Sequence, residues 1–309
     1  MGRLFSLMFI LLTMFYQVAA ETQREENLVA YYPFQGNVLD HSGNGHHGTV
    51  EGATLTDNRF GVAHRAYYFS SCNLINCGDP PDNSFDIGEE LTLTAWISLA
   101  STPPGPGSNV TFSVIGKDIW NGPNVSKWIL GLQQNRLIFH INGPGYGSGY
   151  WIFSNNSPMA LNNWYHVAMT KSGSEYTFYL DGVHLGDRTM TQAIYDVAAP
   201  MTIGCAEPSS PHHGDIDEVR FYNRRLSPNE IMDLYQGPAA PLQVTISYNA
   251  GNIRLDWLEV EAADYYRVYS STDPETGFSE ESSGTFDGTS WETPLLAGPR
   301  FYRLTAVRD

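Results

Sequence analysis

Basic residues are scarce. Lys and Arg number 17 against 33 Asp plus Glu in 309 residues, a formal charge of −16. Nucleic acid and anionic membranes both select for basic patches that release counterions, so this chain is directed to neutral or cationic ligands, with no nucleic-acid partner. Charged residues of both signs make up 16% of the sequence and aromatic residues 13%, which excludes a coiled coil and a disordered acidic tail. Helical periodicity is almost absent, and after the first twenty residues no apolar run is long enough to span a membrane. Cysteine is limited to Cys72, Cys77 and Cys205. The odd number leaves at least one thiol free or pairing between chains. Cys72 and Cys77 can close a local bridge if the chain bends between them, since a straight strand exceeds the Cα separation of about 7 Å that a disulfide allows. Cys205 is the alternative partner for either.

Residues 1–20 read as a secretory signal: Arg3, an apolar run from Leu4 to Phe15, and a small-residue exit at Val18-Ala19-Ala20 before polar Glu21. Cleavage is expected after Ala20, giving a secreted or periplasmic protein. Beyond it, short period-two or apolar stretches such as Leu91–Ile97, Tyr165–Thr170 and Tyr176–Leu180 are separated by turn clusters. Such punctuation predicts an all-β antiparallel sandwich or jelly roll. The one helix signal is Ser227–Tyr235, with Ser as cap, Pro first and Glu three residues on. Gly237-Pro238-Ala239-Ala240-Pro241 then marks a domain boundary, dividing 21–237 from 238–309. The cluster at 103–107 reads as a loop within the first domain.

Five ordered segments carry a family resemblance: Tyr31-Tyr32-Pro33-Phe34 with Leu39 to Gly48, Leu91 to Ile97, Trp164 to Val167, Tyr179 to Gly182, and Gly214 to Ser227. Over about Leu28 to Tyr235 the chain resembles the laminin-G-like members of the concanavalin A-like lectin and glucanase superfamily. The resemblance implies a jelly roll of two antiparallel sheets whose first and last strands pair. The segment from about Leu242 resembles a fibronectin type III module, with Trp257 in its second strand, Tyr266–Tyr269 in its third and Phe301–Val307 in its sixth. Its final strand is missing from the pattern, which leaves a sheet edge to be covered.

Asp40-x-Ser42-x-Asn44-Gly45, with Glu51 beyond, approaches the spacing of a calcium loop. The flanks offer no amphipathic helices, so the match to Glu51 is treated as accidental. The family resemblance places this loop beside the closing strand. Asp40, Ser42, Asn44, Asp215 and Asp217 are therefore the expected ligands of a structural calcium. The alternative is that Asp40, Ser42 and Asn44 form turn bonds alone.

A glucanase in this superfamily needs paired acids around the scissile bond. In Asp215-Ile216-Asp217-Glu218-Val219-Arg220, the arginine stands where the second acid belongs. Asp215, Asp217 and Arg220 then form no acid and nucleophile pair on one face, and no catalytic residue is assigned. His46-His47 and His212-His213 cannot chelate as neighbours on a strand and are expected in solvated loops. Trp96, Trp128 and Trp164 sit in strand patterns and are expected in the core. Trp120, Tyr146, Tyr150 and Trp151 lie in polar, Gly-rich stretches. They supply flat faces for sugar C–H groups, with loop packing as the alternative role. The sequence thus predicts an exported, non-catalytic protein that binds a glycan or glycosylated surface. Its rivals are a protein-adhesion module and a glucanase.

Overall fold

The computed structural model describes residues 26–104, 111–118, 126–147, 149–196, 198–206, 210–237, 244–249, 251–257, 265–273, 278–295 and 300–307. The signal segment and Trp120 lie outside the described residues. The chain divides into two compact units, Glu25–Gln236 and a second that includes Gly237–Asp309.

The larger unit packs two antiparallel sheets face to face, a jelly-roll sandwich. Its strands in chain order are β1 (Leu28–Tyr32), β2 (Thr49–Glu51), β3 (Thr54–Thr56), β4 (Ala66–Phe69), β5 (Leu74–Asn76), β6 (Glu90–Leu99), β7 (Phe112–Asp118) and β8 (Lys127–Gln133). They continue as β9 (Arg136–Asn142), β10 (Tyr150–Phe153), β11 (Trp164–Ser172), β12 (Glu175–Leu180), β13 (Val183–Thr189), β14 (Met201–Ile203) and β15 (Gly214–Tyr222). The first sheet runs β13-β12-β11-β6-β15-β4-β3, and the second runs β10-β9-β8-β7-β14-β5-β2. β1 pairs with β15 in the first sheet, so the first and last strands meet.

Alternation builds the layers. On β6, Leu91, Leu93, Ala95, Ile97 and Leu99 enter the core between the sheets, so Thr92, Thr94, Trp96 and Ser98 face outward. On β9, Leu137, Phe139 and Ile141 point inward and His140 and Asn142 outward. Gly214 is required where β15 meets β6: at φ +141°, a Cβ there would lie 1.9 Å from the Ser98 carbonyl oxygen. Lys117 enters an otherwise apolar layer because its ammonium reaches Asp79 at 2.8 Å and Asp86 at 2.9 Å.

After β15 comes α1 (Pro228–Gln236). The Ser227 hydroxyl accepts from the Glu230 N–H at 3.3 Å, and the Glu230 carboxylate accepts from the Ser227 N–H at 2.8 Å, closing the capping box expected from sequence. The helix lays Ile231 and Leu234 on Leu28, Ala168, Tyr179 and Tyr222, covering part of the outer face of the first sheet. A disulfide joins Cys72 to Cys205 with Cα atoms 5.1 Å apart. That settles the pairing the sequence left open, and Cys77 remains a free, buried thiol, pushed up to about 12 by burial.

The second unit is also a sandwich. β16 (Val244–Asn249), β17 (Asn252–Trp257), β18 (Tyr265–Ser271), β19 (Ser279–Glu280), β20 (Thr285–Asp287), β21 (Ser290–Pro294) and β22 (Phe301–Val307) follow in order. They form one sheet β16-β17-β21-β20 and another β19-β18-β22. Leu255, Trp257, Val268, Trp291, Tyr302 and Leu304 fill the space between them.

Candidate functional site

The β9–β10 hairpin gathers most of the aromatics singled out from sequence. Register places Trp151 opposite His140 on the outward face of the second sheet. Their rings stack with centroids 3.5 Å apart and planes 11° from parallel. Phe153, two residues on, presents a ring 16° from parallel with that of Trp151 at 6.4 Å. Both are half-buried, so each keeps part of its ring in solvent. Tyr150 faces the opposite side of the strand, where Tyr146 meets it edge-on at 4.9 Å. Tyr146 is fixed by its hydroxyl, which donates to the Ala193 carbonyl at 2.9 Å. It also packs 5.5 Å from Tyr195. Tyr150 and Tyr195 are each 40% exposed. The glycines of this stretch are structural necessities: a Cβ on Gly143 would come within 2.3 Å of the Tyr195 ring. Sequence reasoning missed His140, Phe153 and Tyr195. His140 and Phe153 could have been found by extending the period-two pattern of the hairpin; Tyr195 enters from a distant loop with no local signal.

The five acid and polar side chains expected to hold calcium fall into two separate arrangements. Asp40 is 7% exposed and its carboxylate is fully engaged. One oxygen accepts from the Tyr31 and Ser42 N–H groups, each at 2.9 Å. The other accepts from the Ser42 hydroxyl at 2.8 Å and the His46 N–H at 3.0 Å. The Asn44 amide donates to the Leu28 and Val29 carbonyls at 2.9 and 3.0 Å. Burial pushes the Asp40 carboxyl up, but the four donors outweigh it and hold the group below its ordinary range. Glu51 accepts from the Asn76 amide at 2.9 Å and takes no part in the loop.

Asp215 and Asp217 lie on β15. A bulge between Asp217 and Arg220, with Glu218 at φ 54°, changes the phase of the strand. Asp215, Asp217 and Arg220 therefore pair with Ser98, Trp96 and Thr94 and share the outer face, with the arginine standing where a second acid would be needed. The arrangement still differs from an acid pair. Arg220 binds Glu218 at 2.7 Å and lies 3.9 Å over the Tyr31 ring. The Tyr31 hydroxyl donates to Glu218 at 2.7 Å. Asp217 is 1% exposed, accepts from the Glu218 N–H at 2.8 Å and has Arg59 at 3.6 Å. Burial, aided by the Glu218 charge and opposed by Arg59, pushes the Asp217 carboxyl up to about 7. Among the described residues, no three His, Cys, Asp or Glu side chains converge as a metal-binding group.

Two further expectations change. Trp128 is in the core, but Trp96 and Trp164 are on the outer face of the first sheet by register. Trp96 is buried there because Tyr235 of α1 stacks on it at 5.6 Å and the Arg59 guanidinium lies 4.5 Å from its ring. Trp164, at the end of β11, is half-buried. His212, expected in a solvated loop, is fully buried, edge-on to Phe69 and Phe112. Burial depresses its imidazole to about 4, and burial with the Arg220 and Arg59 charges depresses that of His166 to about 3.

Similar folds occur in proteins of diverse sequence. Domain 4 of an extracellular arabinanase from Geobacillus stearothermophilus, solved in complex with arabinotriose, superposes with a TM-score of 0.53 at 19% identity, covering 68% of this chain and 98% of that one. The binding domain of Paraclostridial Mosquitocidal Protein 1 gives 0.54 at 16% identity, covering 69% of this chain and 52% of that one. A botulinum neurotoxin type C structure, whose cell entry depends on interaction with two ganglioside molecules, gives 0.51 at 12% identity over 82% of this chain and 58% of that one. The chain thus spans little more than half of the two toxin structures. No curated protein sequence matches it. Residues 78–232, half of the chain, match the concanavalin A-like lectin/glucanases family Laminin_G_3. The chain belongs to the concanavalin A-like lectin/glucanase superfamily.

Proposed function

We propose that this is an exported, non-catalytic glycan-binding protein whose contact surface is the aromatic hairpin β9–β10. The observation that carries the reading is the half-exposed, near-parallel pair Trp151 and Phe153 on one face of β10, with Tyr150 and Tyr195 exposed on its other side. Parallel ring faces stack on sugar C–H groups, and a ring fixed by His140 or Tyr146 loses little freedom when a ligand arrives. The carbohydrate-bound arabinanase domain, which shares the fold, lends support. Trp120 is included from sequence alone.

The burial of Asp217 beside Trp96 and Arg59 supports the non-catalytic reading, since a general acid must reach its substrate. The Cys72–Cys205 bridge supports export, because structural disulfides persist in oxidising compartments. For the second unit, the order of its two sheets supports a fibronectin type III-like module with six of the usual seven strands and β20 as an added edge. The four protein donors on the Asp40 carboxylate support the turn-bond reading of Asp40, Ser42 and Asn44 over a structural calcium.

The test is a glycan array followed by calorimetry. Trp151→Ala and Tyr150→Ala are expected to keep the melting temperature within a few degrees and to weaken binding of the best oligosaccharide by about tenfold or more. Unchanged affinity in both variants would move the reading to protein adhesion.

A further inference from the structure

A second row of sugar-compatible side chains crosses the outer face of the first sheet, on the other side of the sandwich from Trp151. Trp164 pairs with Ser98, Ser98 with Asp215, Asp215 with Tyr68, and Tyr68 with Thr54. Directly opposed residues share a face, so the register sets aromatic, hydroxyl, carboxylate, aromatic and hydroxyl side by side across five strands. At about 4.8 Å per strand, the two rings stand about 14 Å apart with the acid between them.

The two rings and the acid retain the exposure such a surface needs, while Ser98 is buried between them. Tyr68 is 36% exposed, and Trp164 and Asp215 are half-buried. A carboxylate offers about four acceptor positions, which suit a ligand's hydroxyls. Burial raises the Asp215 carboxyl, with the Ser98 and Thr56 hydroxyls acting against it.

The loop between β3 and β4 borders the row. Its tip is held by Asn58, whose side-chain oxygen accepts from the Phe60 and Val62 N–H groups, each at 3.0 Å. This leaves Phe60 72% exposed. The Arg59 guanidinium lies between rings, 4.3 Å from Phe60 and 4.5 Å from Trp96. It brings nitrogen donors to the same border.

We propose that Tyr68, Asp215 and Trp164 form a second carbohydrate-contacting surface, which takes neutral sugar hydroxyls on Asp215 and a sugar C–H face on Tyr68. This rests on the glycan-binding reading but not on the Trp151 surface. The mature full-length chain is screened on an array of neutral oligosaccharides, and the strongest is titrated by calorimetry against wild type, Tyr68→Ser, Tyr68→Phe, Asp215→Asn and Trp151→Ala. Wild type is expected to take more than one sugar per chain. Tyr68→Ser and Asp215→Asn should remove one class of site or weaken it by about tenfold, Tyr68→Phe should retain it, and Trp151→Ala should leave it. A glycan that binds the Tyr68→Ser and Asp215→Asn chains like wild type, while Trp151→Ala weakens it, overturns this proposal and leaves the first surface standing. An array with no bound glycan overturns both. Matched thermal melts of all variants separate lost contacts from lost fold.

Discussion

Asp40 and Asp217 are both buried carboxyls on the larger unit, 7% and 1% exposed, and they titrate in opposite directions. Asp40 accepts four hydrogen bonds and stays ionised below its ordinary range. Asp217 has one backbone donor and an arginine at 3.6 Å, and is held up to about 7. Burial raises both; the number of converging donors decides which one keeps its charge. One acid therefore organises a turn, and the other is a standing cost at alkaline pH.

The largest effect that would break this contrast is Asp40→Ala. It strips the acceptor from the Tyr31, Ser42 and His46 N–H groups and is expected to destabilise the unit by about 3–5 kcal/mol in urea unfolding. A loss under 1 kcal/mol would mean that the turn holds without its acid.

Asp217→Asn should act the other way. A carboxyl raised in the fold from 3.8 to about 7 contributes stability that is fully present below 3.8 and is lost as pH rises through about 7. The amide cannot ionise, so the variant should exceed wild type at pH 8 by roughly 2–4 kcal/mol and match it near pH 4. Equal stability at pH 8 would remove Asp217 from the neutral range. On the acid side, His166 and His212 are depressed from 6.5 to about 3 and about 4. Their contribution is present above 6.5 and falls away as pH drops through 4 and 3, in wild type and variant alike.

Ser42→Ala removes the hydroxyl's bonds to Asp40 and to the Val29 carbonyl while sparing the Asp40 bonds to backbone. It is expected to cost about 1 kcal/mol. The smallest expected effect is that of a chelator: after exhaustive dialysis the melting temperature should stay within about 1 °C, because protein donors already fill the Asp40 acceptor positions. A drop of several degrees would restore calcium to this loop, by the stabilisation that ligand binding confers on the folded state.

The frame of the larger unit was legible because its signals are local. The inward alternation of Leu91 to Leu99, the Ser227–Glu230 box and the Asp-Gly turn at Asp181-Gly182 each state their own geometry. The meeting of β1 with β15 came from resemblance, since no local pattern encodes a pairing across 190 residues. The site was legible in part. Tyr146, Tyr150 and Trp151 stood out by their Gly-rich surroundings, whereas His140 is recognisable as the base under Trp151 only once the hairpin register is known. Arg220 shares the outer face with Asp217 for a reason the sequence pattern does not show. A bulge adds one residue to a strand, and every side chain beyond it changes face. Trp96 looked like core because its neighbours alternate; its burial comes from Arg59 and Tyr235, which the pattern of β6 does not contain.

The bond between Cys72 and Cys205 spans 133 positions of sequence and brackets much of the sandwich. A protease that cuts once in any loop between them, including the Pro- and Gly-rich stretch near 104, releases no fragment. The two pieces travel together until a reductant parts them, so a nicked molecule keeps its mass on a non-reducing gel and splits on a reducing one. That single tie makes one cut a survivable injury.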